Sequence, residues 1–245
     1  MLTSVRSLMA ATLLTGSVFV AAPAVAQDSG IEISGTAALV SEYRFRGVDL
    51  SGGDAAVQAS VTASASGFYV GTWASSLDET TVGFGHTEID LYAGYSGELT
   101  SGVTFDVSGV YYLYPNAPAG DFDYYEFIAK TGLSVGPGAL TLGVAYSPKQ
   151  DALGSQDNLY LFADASVGIP STPVSLTAHL GYTDGFLTYT ADGDAMDWAL
   201  GASFAVNDTL SIGASYVGVD GQGTTGVAGY PFADDAVVVS LTAGF

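Results

Sequence analysis

The chain has no cysteine, and only five of its 245 residues are Lys or Arg. The first absence excludes a disulfide framework, thiolate metal sites and a lipid-modified cysteine anchor. The second argues against nucleic acid as a partner, because neutralising phosphates takes clustered cations. Against 25 Asp and Glu the five cations leave a formal net charge of −20. Charged residues of both signs still make up only 12% of the chain, against about 25% in ordinary soluble domains. Helix-favouring Glu and Lys are scarce, and beyond the first 26 residues no run of 18 uncharged apolar residues occurs. Membrane-crossing helices are therefore not expected.

What is abundant is Gly, Ala, Ser, Thr, Val and Tyr, a composition of strands and turns. The N-terminal segment stands apart. "MLTSVRS" supplies one cation, "LMAATLLTGSVFV" is apolar but too short to span a bilayer, and "APAVA" puts small residues before a cut after Ala26. Residues 1–26 are expected to be a cleaved secretory signal peptide and residues 27–245 a single domain. The cut removes Arg6 and no acid, so the net charge becomes −21.

Period-2 alternation predicts twelve strands over 31–45, 54–64, 67–75, 86–96, 102–114, 123–134, 139–147, 157–167, 173–183, 195–206, 208–219 and 236–245. One face carries no charge. In the first strand it runs Ile33, Gly35, Ala37, Leu39, Tyr43 and Phe45, and in the eighth Leu159, Leu161, Ala163, Ala165 and Val167. The other face carries Glu32, Glu42, Arg44, Arg46, Glu88, Asp90, Asp106, Glu126, Lys130, Asp164, His179 and Asp197 among Ser, Thr, Gly and Tyr.

Alternation alone fits either a soluble sandwich with the apolar face inside or a membrane barrel with that face toward lipid. Three observations favour the barrel. Aromatics collect near strand ends: Tyr43, Phe45, Tyr111, Tyr125, Phe127, Tyr146, Tyr182, Trp198 and Tyr216 at one level, Tyr95, Phe105, Phe204 and Phe245 at the other. Two such girdles mark the two faces of a bilayer. Short turns alternate with longer, more polar loops, and twelve is an even number, which puts both termini on the short-turn side. The last strand, "AVVVSLTAGF", then closes against the first and leaves no free edge. Its terminal Phe245 resembles the signal read by the barrel-assembly machinery of Gram-negative bacteria. The predicted fold is thus an all-β, antiparallel, up-and-down transmembrane β-barrel of about twelve strands.

Several stretches resemble the TorF-like porin family of proteobacteria, also known as the Gcw_chp conserved hypothetical proteins. They include "SEYRFRGVDLSGG" (41–53), "GFYVGTWASSLD" (67–78), "EIDLYAGYSGEL" (88–99), "YYLYPN" (111–116), "LGVAYSP" (142–148), "NLYLFADASVGIP" (158–170) and "HLGYTDG" (179–185). The resemblance covers essentially the whole chain after residue 26, with least likeness in the loop after the eleventh strand. It implies an outer-membrane barrel with a channel role, and it implies no particular substrate and no catalytic residues.

The inward charges are the candidate lumen residues. Arg44 and Arg46 beside Glu42 are half of the cations left after the cut. They are expected to face Glu88, Asp90, Glu126 and Asp197, either setting up a transverse field for polar solutes or bracing the wall as ion pairs. Asp106 and Lys130 are expected to meet across a hairpin. Eight inward acids against three inward bases predict a preference for cations. Inward Tyr92, Tyr112, Tyr114, Tyr124, Tyr160 and Phe162 are expected to narrow the lumen.

The remaining motifs fail on context. "GQGTTG" (221–226) matches a nucleotide-binding glycine pattern but no helix follows it. "DGDAMD" (192–197) lacks the glycine and final Glu of a calcium loop and reads as a solvated acidic loop. "NDT" (207–209) matches a glycosylation acceptor but reads as a tight turn. His86 and His179 are both expected on the inward face with no serine placed to form a nucleophilic pair, so no enzyme activity, cofactor or metal site is predicted. The expected function is passive diffusion of small polar solutes, with outer-membrane lipid, lipopolysaccharide and the assembly machinery as partners. The alternatives are a non-conducting structural or adhesive barrel and a soluble secreted β-sandwich binding module.

Overall fold

The computed structural model describes residues 30–188, 193–220 and 231–245. The proposed signal peptide with its cut at Ala26, the "GQGTTG" stretch and Asp192 of "DGDAMD" lie outside these residues. Twelve antiparallel strands form one closed barrel. Its wall runs β1 (Glu32–Val40), β4 (Ala56–Ala65), β5 (Phe68–Ser76), β6 (Thr87–Thr100), β7 (Val103–Leu113), β8 (Tyr124–Val135), β9 (Gly138–Gln150), β10 (Gln156–Gly168), β11 (Val174–Gly185), β12 (Asp194–Ala205), β13 (Leu210–Val219) and β14 (Ala236–Gly244). Each strand pairs with its sequence neighbour in the wall, and β14 returns to β1. The two short strands β2 (Arg44–Phe45) and β3 (Val48–Asp49) pair only with each other.

Closure satisfies the backbone. Leu39 faces Leu241 across the seam, and Gly35 and Phe245 exchange backbone hydrogen bonds at 3.0 and 3.1 Å. The Phe245 ring lies over Gly35, where a Cβ would meet it at 2.5 Å. Glycine at position 35 therefore leaves room for the last side chain to cover the seam. With no unpaired edge, a β-wall can stand in hydrocarbon.

The alternation places apolar side chains outside. Leu39, Val57, Leu91, Leu161, Leu200 and Val239 are all exposed on the outer surface. A core of ordinary polarity would bury such residues, so this exposed belt identifies a transmembrane barrel. Tyr111, Tyr125, Phe127, Tyr146, Tyr182 and Tyr216 ring the long-loop end of the outer surface, and Phe68, Tyr95, Phe204 and Phe245 ring the short-turn end. A groove of about 590 Å³ between Val167, Leu176 and Leu200 opens on this apolar outer face, away from the lumen.

Two expectations need correction. The first strand ends at Val40, not at residue 45. Tyr43 and Phe45 consequently do not belong to the outer girdle: both are buried, at 1% and 4% exposure. The physical reason is a turn that alternation does not reveal, described below. His86 is exposed in the loop before β6, beside Thr87, and not on the inward face.

Candidate functional site: the inturned hairpin and the lumen

After Val40 the chain leaves the wall and folds into the barrel. Ser41 marks the exit: its N–H donates to the Val239 carbonyl, and its Oγ accepts from the Val239 N–H, both at 2.8 Å. Residues 44–49 then form the β2–β3 hairpin. Its two turn residues, Arg46 and Gly47, have φ of +48° and +80°, the signs required by the two-residue turn that suits strand twist. Glycine suits that conformation, whereas arginine is strained in it. Gly47 also has no room for a side chain, because a Cβ would lie 2.7 Å from the Gly218 carbonyl oxygen and from Val219 Cβ of β13.

The hairpin is pinned on several sides. Leu50 N–H donates to the Tyr43 carbonyl, and Tyr43 N–H donates to Ser51 Oγ. Asp49 accepts from the Ser51 N–H at 2.8 Å and the Gly53 N–H at 2.6 Å. Asp49 N–H reaches the Phe232 carbonyl, and Asp78 N–H reaches the Leu50 carbonyl. Apolar contacts complete the seat. Tyr43 packs on Trp73 and Phe45 on Tyr112, with Tyr112 stacked on Tyr124 at 4.4 Å. Leu77, Leu153, Leu187 and Phe232 from four other loops join this cluster. The principal apolar core therefore lies within the long-loop mouth of the barrel.

The charged residues divide among three clusters. Within the first, Arg46 donates from Nη2 to both Glu126 carboxylate oxygens at 2.8 Å. Its guanidinium carbon lies 4.1 Å from the centre of the Tyr160 ring and 4.9 Å from that of Phe45. Glu126, fully buried on β8, also accepts from Tyr112 Oη and Ser147 Oγ. Arg44 is paired with Glu42 and donates to the carbonyls of Asp234 at 2.7 Å and Gly47 at 3.0 Å. Glu88 and Asp90, both buried, stand on β6 near Tyr43. Glu88 Oε2, Asp90 Oδ1 and Asp197 Oδ2 have no hydrogen-bond partner among the described residues.

A second cluster joins β10, β11 and β12. His179 Nδ1 lies 2.6 Å from Asp164, and its Nε2 lies 2.9 Å from Asp197 and 2.8 Å from Tyr160 Oη. A third, nearer the short-turn end, sets Lys130 3.4 Å from Asp106 across β7 and β8. Tyr69 Oη donates to the same Asp106 at 2.8 Å. Around and below these clusters the wall is lined by half-buried hydroxyls such as Thr36, Ser60, Ser108, Thr141, Thr177 and Ser215. Two inward rings lie flat on the wall: Tyr92 over Gly71 and Phe162 over Gly143, where a Cβ would overlap each ring. Tyr112, Tyr114, Tyr124 and Tyr160 are buried in the interior. Glu32 is exposed at the short-turn end.

Two loop carboxyls have shifted ionisation. Burial pushes Glu42 up to about 7, against the pull of the Arg44 guanidinium and with the push of neighbouring Asp49. Asp78 stays below the usual carboxylate range: burial works against its charge, but hydrogen bonds from Thr80 and Thr81 outweigh that.

Residues 24–245 match the model of a family described as "Bacterial protein of unknown function (Gcw_chp)". The chain belongs to that family. No curated protein matches its sequence. Among solved structures it is similar to the NanC porin, with a TM-score of 0.62 at 9% identity, covering 87% of this chain and 98% of that one. It is also similar to the KdgM porin, solved in complex with disordered oligogalacturonate, with a TM-score of 0.55 at 8% identity over 87% and 97% of the two chains. An outer-membrane channel from Pseudomonas putida F1 gives 0.52 at 11% identity over 90% and 97%. At these identities the likeness is one of fold.

The lumen hairpin is the element that periodicity missed. A signal for it stands in the sequence: Arg46-Gly47 between "YRF" and "VDL", followed by Ser51-Gly52-Gly53, is a two-residue turn with a loop behind it. As a result Glu42, Arg44 and Arg46 sit on an inturned segment, not on a wall strand. Glu88, Asp90, Asp106, Glu126, Lys130, Asp164, His179 and Asp197 are on wall strands facing inward. Ser147, Tyr160 and Tyr112 were not foreseen as partners of the Arg46–Glu126 pair, since nothing in one strand's sequence reports what the hairpin brings to it.

Proposed function

We propose that this protein is a channel of a Gram-negative outer membrane that passes small polar solutes by diffusion, prefers cations, and is narrowest at the β2–β3 hairpin. The observation that carries the reading is the pairing of an apolar outer belt with a hydroxyl-lined, acid-rich interior. Arg44, Arg46 and Lys130 each stand against one carboxylate, while His179 stands between two, Asp164 and Asp197. Net negative charge along a narrow pore favours cations. Oligogalacturonate, seen with the KdgM porin, is a polyanion, and the present lumen carries charge unsuited to it.

In this reading residues 1–26 are removed after Ala26 on export, the termini lie on the periplasmic side, and the long acidic loops face lipopolysaccharide. Phe245 serves the assembly machinery as well as the seam. A second reading, a non-conducting structural barrel, is favoured by one observation, the filled mouth. Single-channel recording of reconstituted protein separates the two. Conductance steps with a cation-selective reversal potential in a salt gradient support the channel. Anion preference removes the charge argument, and persistent silence supports the structural barrel.

A further inference from the structure

Arg46 is held as a ligand would be. Its guanidinium is flanked by a carboxylate and two aromatic rings, contributed by Glu126 on β8, Tyr160 on β10 and Phe45 on the hairpin, and Ser147 Oγ on β9 donates to the same carboxylate. A cation over an aromatic face with a desolvated carboxylate beside it is a recognised mode of binding organic cations. The occupant is poorly fitted to its own cage. Both carboxylate oxygens bind the single nitrogen Nη2, and Nη1 and Nε are buried without a hydrogen-bond partner. A guanidinium free to turn would offer two nitrogens side by side to the two oxygens. Arg46 is tethered to a turn in which a non-glycine residue has φ +48°, a conformation retained only where the surroundings impose it. Nearby acceptors are also under-supplied: Asp197 Oδ2 and Asp90 Oδ1 are buried and unpartnered.

We propose that the Glu126–Tyr160 cage is a binding site for guanidinium-bearing solutes, occupied in this structure by Arg46 as an internal substitute. A solute guanidinium displaces Arg46 from Glu126, and the hairpin that fills the mouth is thereby released. The proposal rests on the channel reading for its consequence but not for the site itself. It names the class of cation the lumen selects and couples that selection to opening.

The test uses Arg46→Asn, because asparagine accepts positive φ and so keeps the turn while emptying the cage. The urea midpoint of the folded, detergent-solubilised protein is measured with millimolar methylguanidinium, with methylammonium, and with sodium at equal ionic strength. Ligand that binds only the folded state raises the midpoint in proportion to the logarithm of its concentration. Methylguanidinium is expected to stabilise Arg46→Asn, methylammonium to do so much less, and Arg46→Asn/Glu126→Gln to respond to neither. A second measurement covers failure of that variant to fold and uses the otherwise wild-type chain. The protein has no cysteine, so Ser51→Cys provides a single buried thiol at the hairpin base. Methylguanidinium is expected to speed its reaction with a maleimide several-fold, and adding Glu126→Gln to speed it without ligand.

Absence of stabilisation, equal stabilisation by methylammonium, or a response that persists without the Glu126 carboxylate overturns the site. If Arg46→Asn does not fold, an unchanged labelling rate in methylguanidinium overturns it. Should stabilisation appear in a barrel that never conducts, the site stands and the channel reading falls.

Discussion

Leu161→Arg tests the inside–outside assignment directly. Leu161 is the sixth of thirteen residues of β10, lies between Val144 of β9 and Tyr182 of β11, and is 46% exposed on the outer face. That places it within the apolar band, in its long-loop half and one strand from Tyr182 of the girdle. An arginine there exchanges an alkyl side chain in hydrocarbon for a guanidinium with no carboxylate within the belt, at a cost of about 2–4 kcal/mol. Val167 lies six residues further toward the short-turn end on the same face. At about 3.3 Å per residue and a tilt near 40°, it lies about 15 Å lower, at the edge of a band about 25 Å tall. Val167→Arg should therefore cost only about 0–1 kcal/mol. Ser166, its inward neighbour, faces the hydroxyl-lined interior, and Ser166→Arg should cost less than Leu161→Arg. The assay is reversible folding into lipid vesicles titrated with urea. A steep profile, largest at Leu161, is expected. Equal costs at positions 161 and 167, or normal folding of Leu161→Arg, would refute the orientation of the wall.

Three further outcomes follow from the interior. Lys130→Met removes the cation beside Asp106, which keeps the Tyr69 hydroxyl, so the cation-to-anion permeability ratio should rise, read as a larger reversal potential in a salt gradient. Gly143→Val puts a side chain where the Phe162 ring lies; overpacking of this kind costs about 1–3 kcal/mol in urea titration, and Phe162→Ala in the same chain should recover part of it. The raised ionisation of Glu42, from 4.5 to about 7, means that the folded state binds a proton more tightly than the unfolded one. The resulting stabilisation is fully present below pH 4.5 and is lost as pH rises through 7. The hairpin should be held more tightly at pH 5 than at pH 8, measured as Ser51→Cys labelling normalised to the unfolded chain at each pH, and Glu42→Gln should flatten the difference.

The wall was readable because its rule is local. A strand in a closed barrel must send alternate side chains to lipid and to the interior, so Leu159, Leu161 and Val167 on one parity and Tyr160, Phe162 and Asp164 on the other already separate the two environments. The same parity aligned Asp106 with Lys130 once adjacent hairpin strands were paired. Tyr43 and Phe45 defeated the rule because they continue the parity of β1 past its end. Alternation looks the same whether it faces lipid or runs along a hairpin turned into the lumen. The Arg46-Gly47 turn, with the Ser51-Gly52-Gly53 loop behind it, was the local sign of the difference.

By itself, then, the sequence determined that this chain forms a twelve-stranded wall with a greasy outside, a polar inside and few cations to offset its acids. These properties depend on period, composition and strand count, each fixed by neighbours in the chain. The tertiary structure alone decided that Arg46 lies against Glu126 and Tyr160, 80 and 114 positions away, and that the mouth is packed rather than empty. Those contacts arise from closing the barrel, which gives an inturned hairpin an enclosed, apolar-lined seat that no single strand possesses.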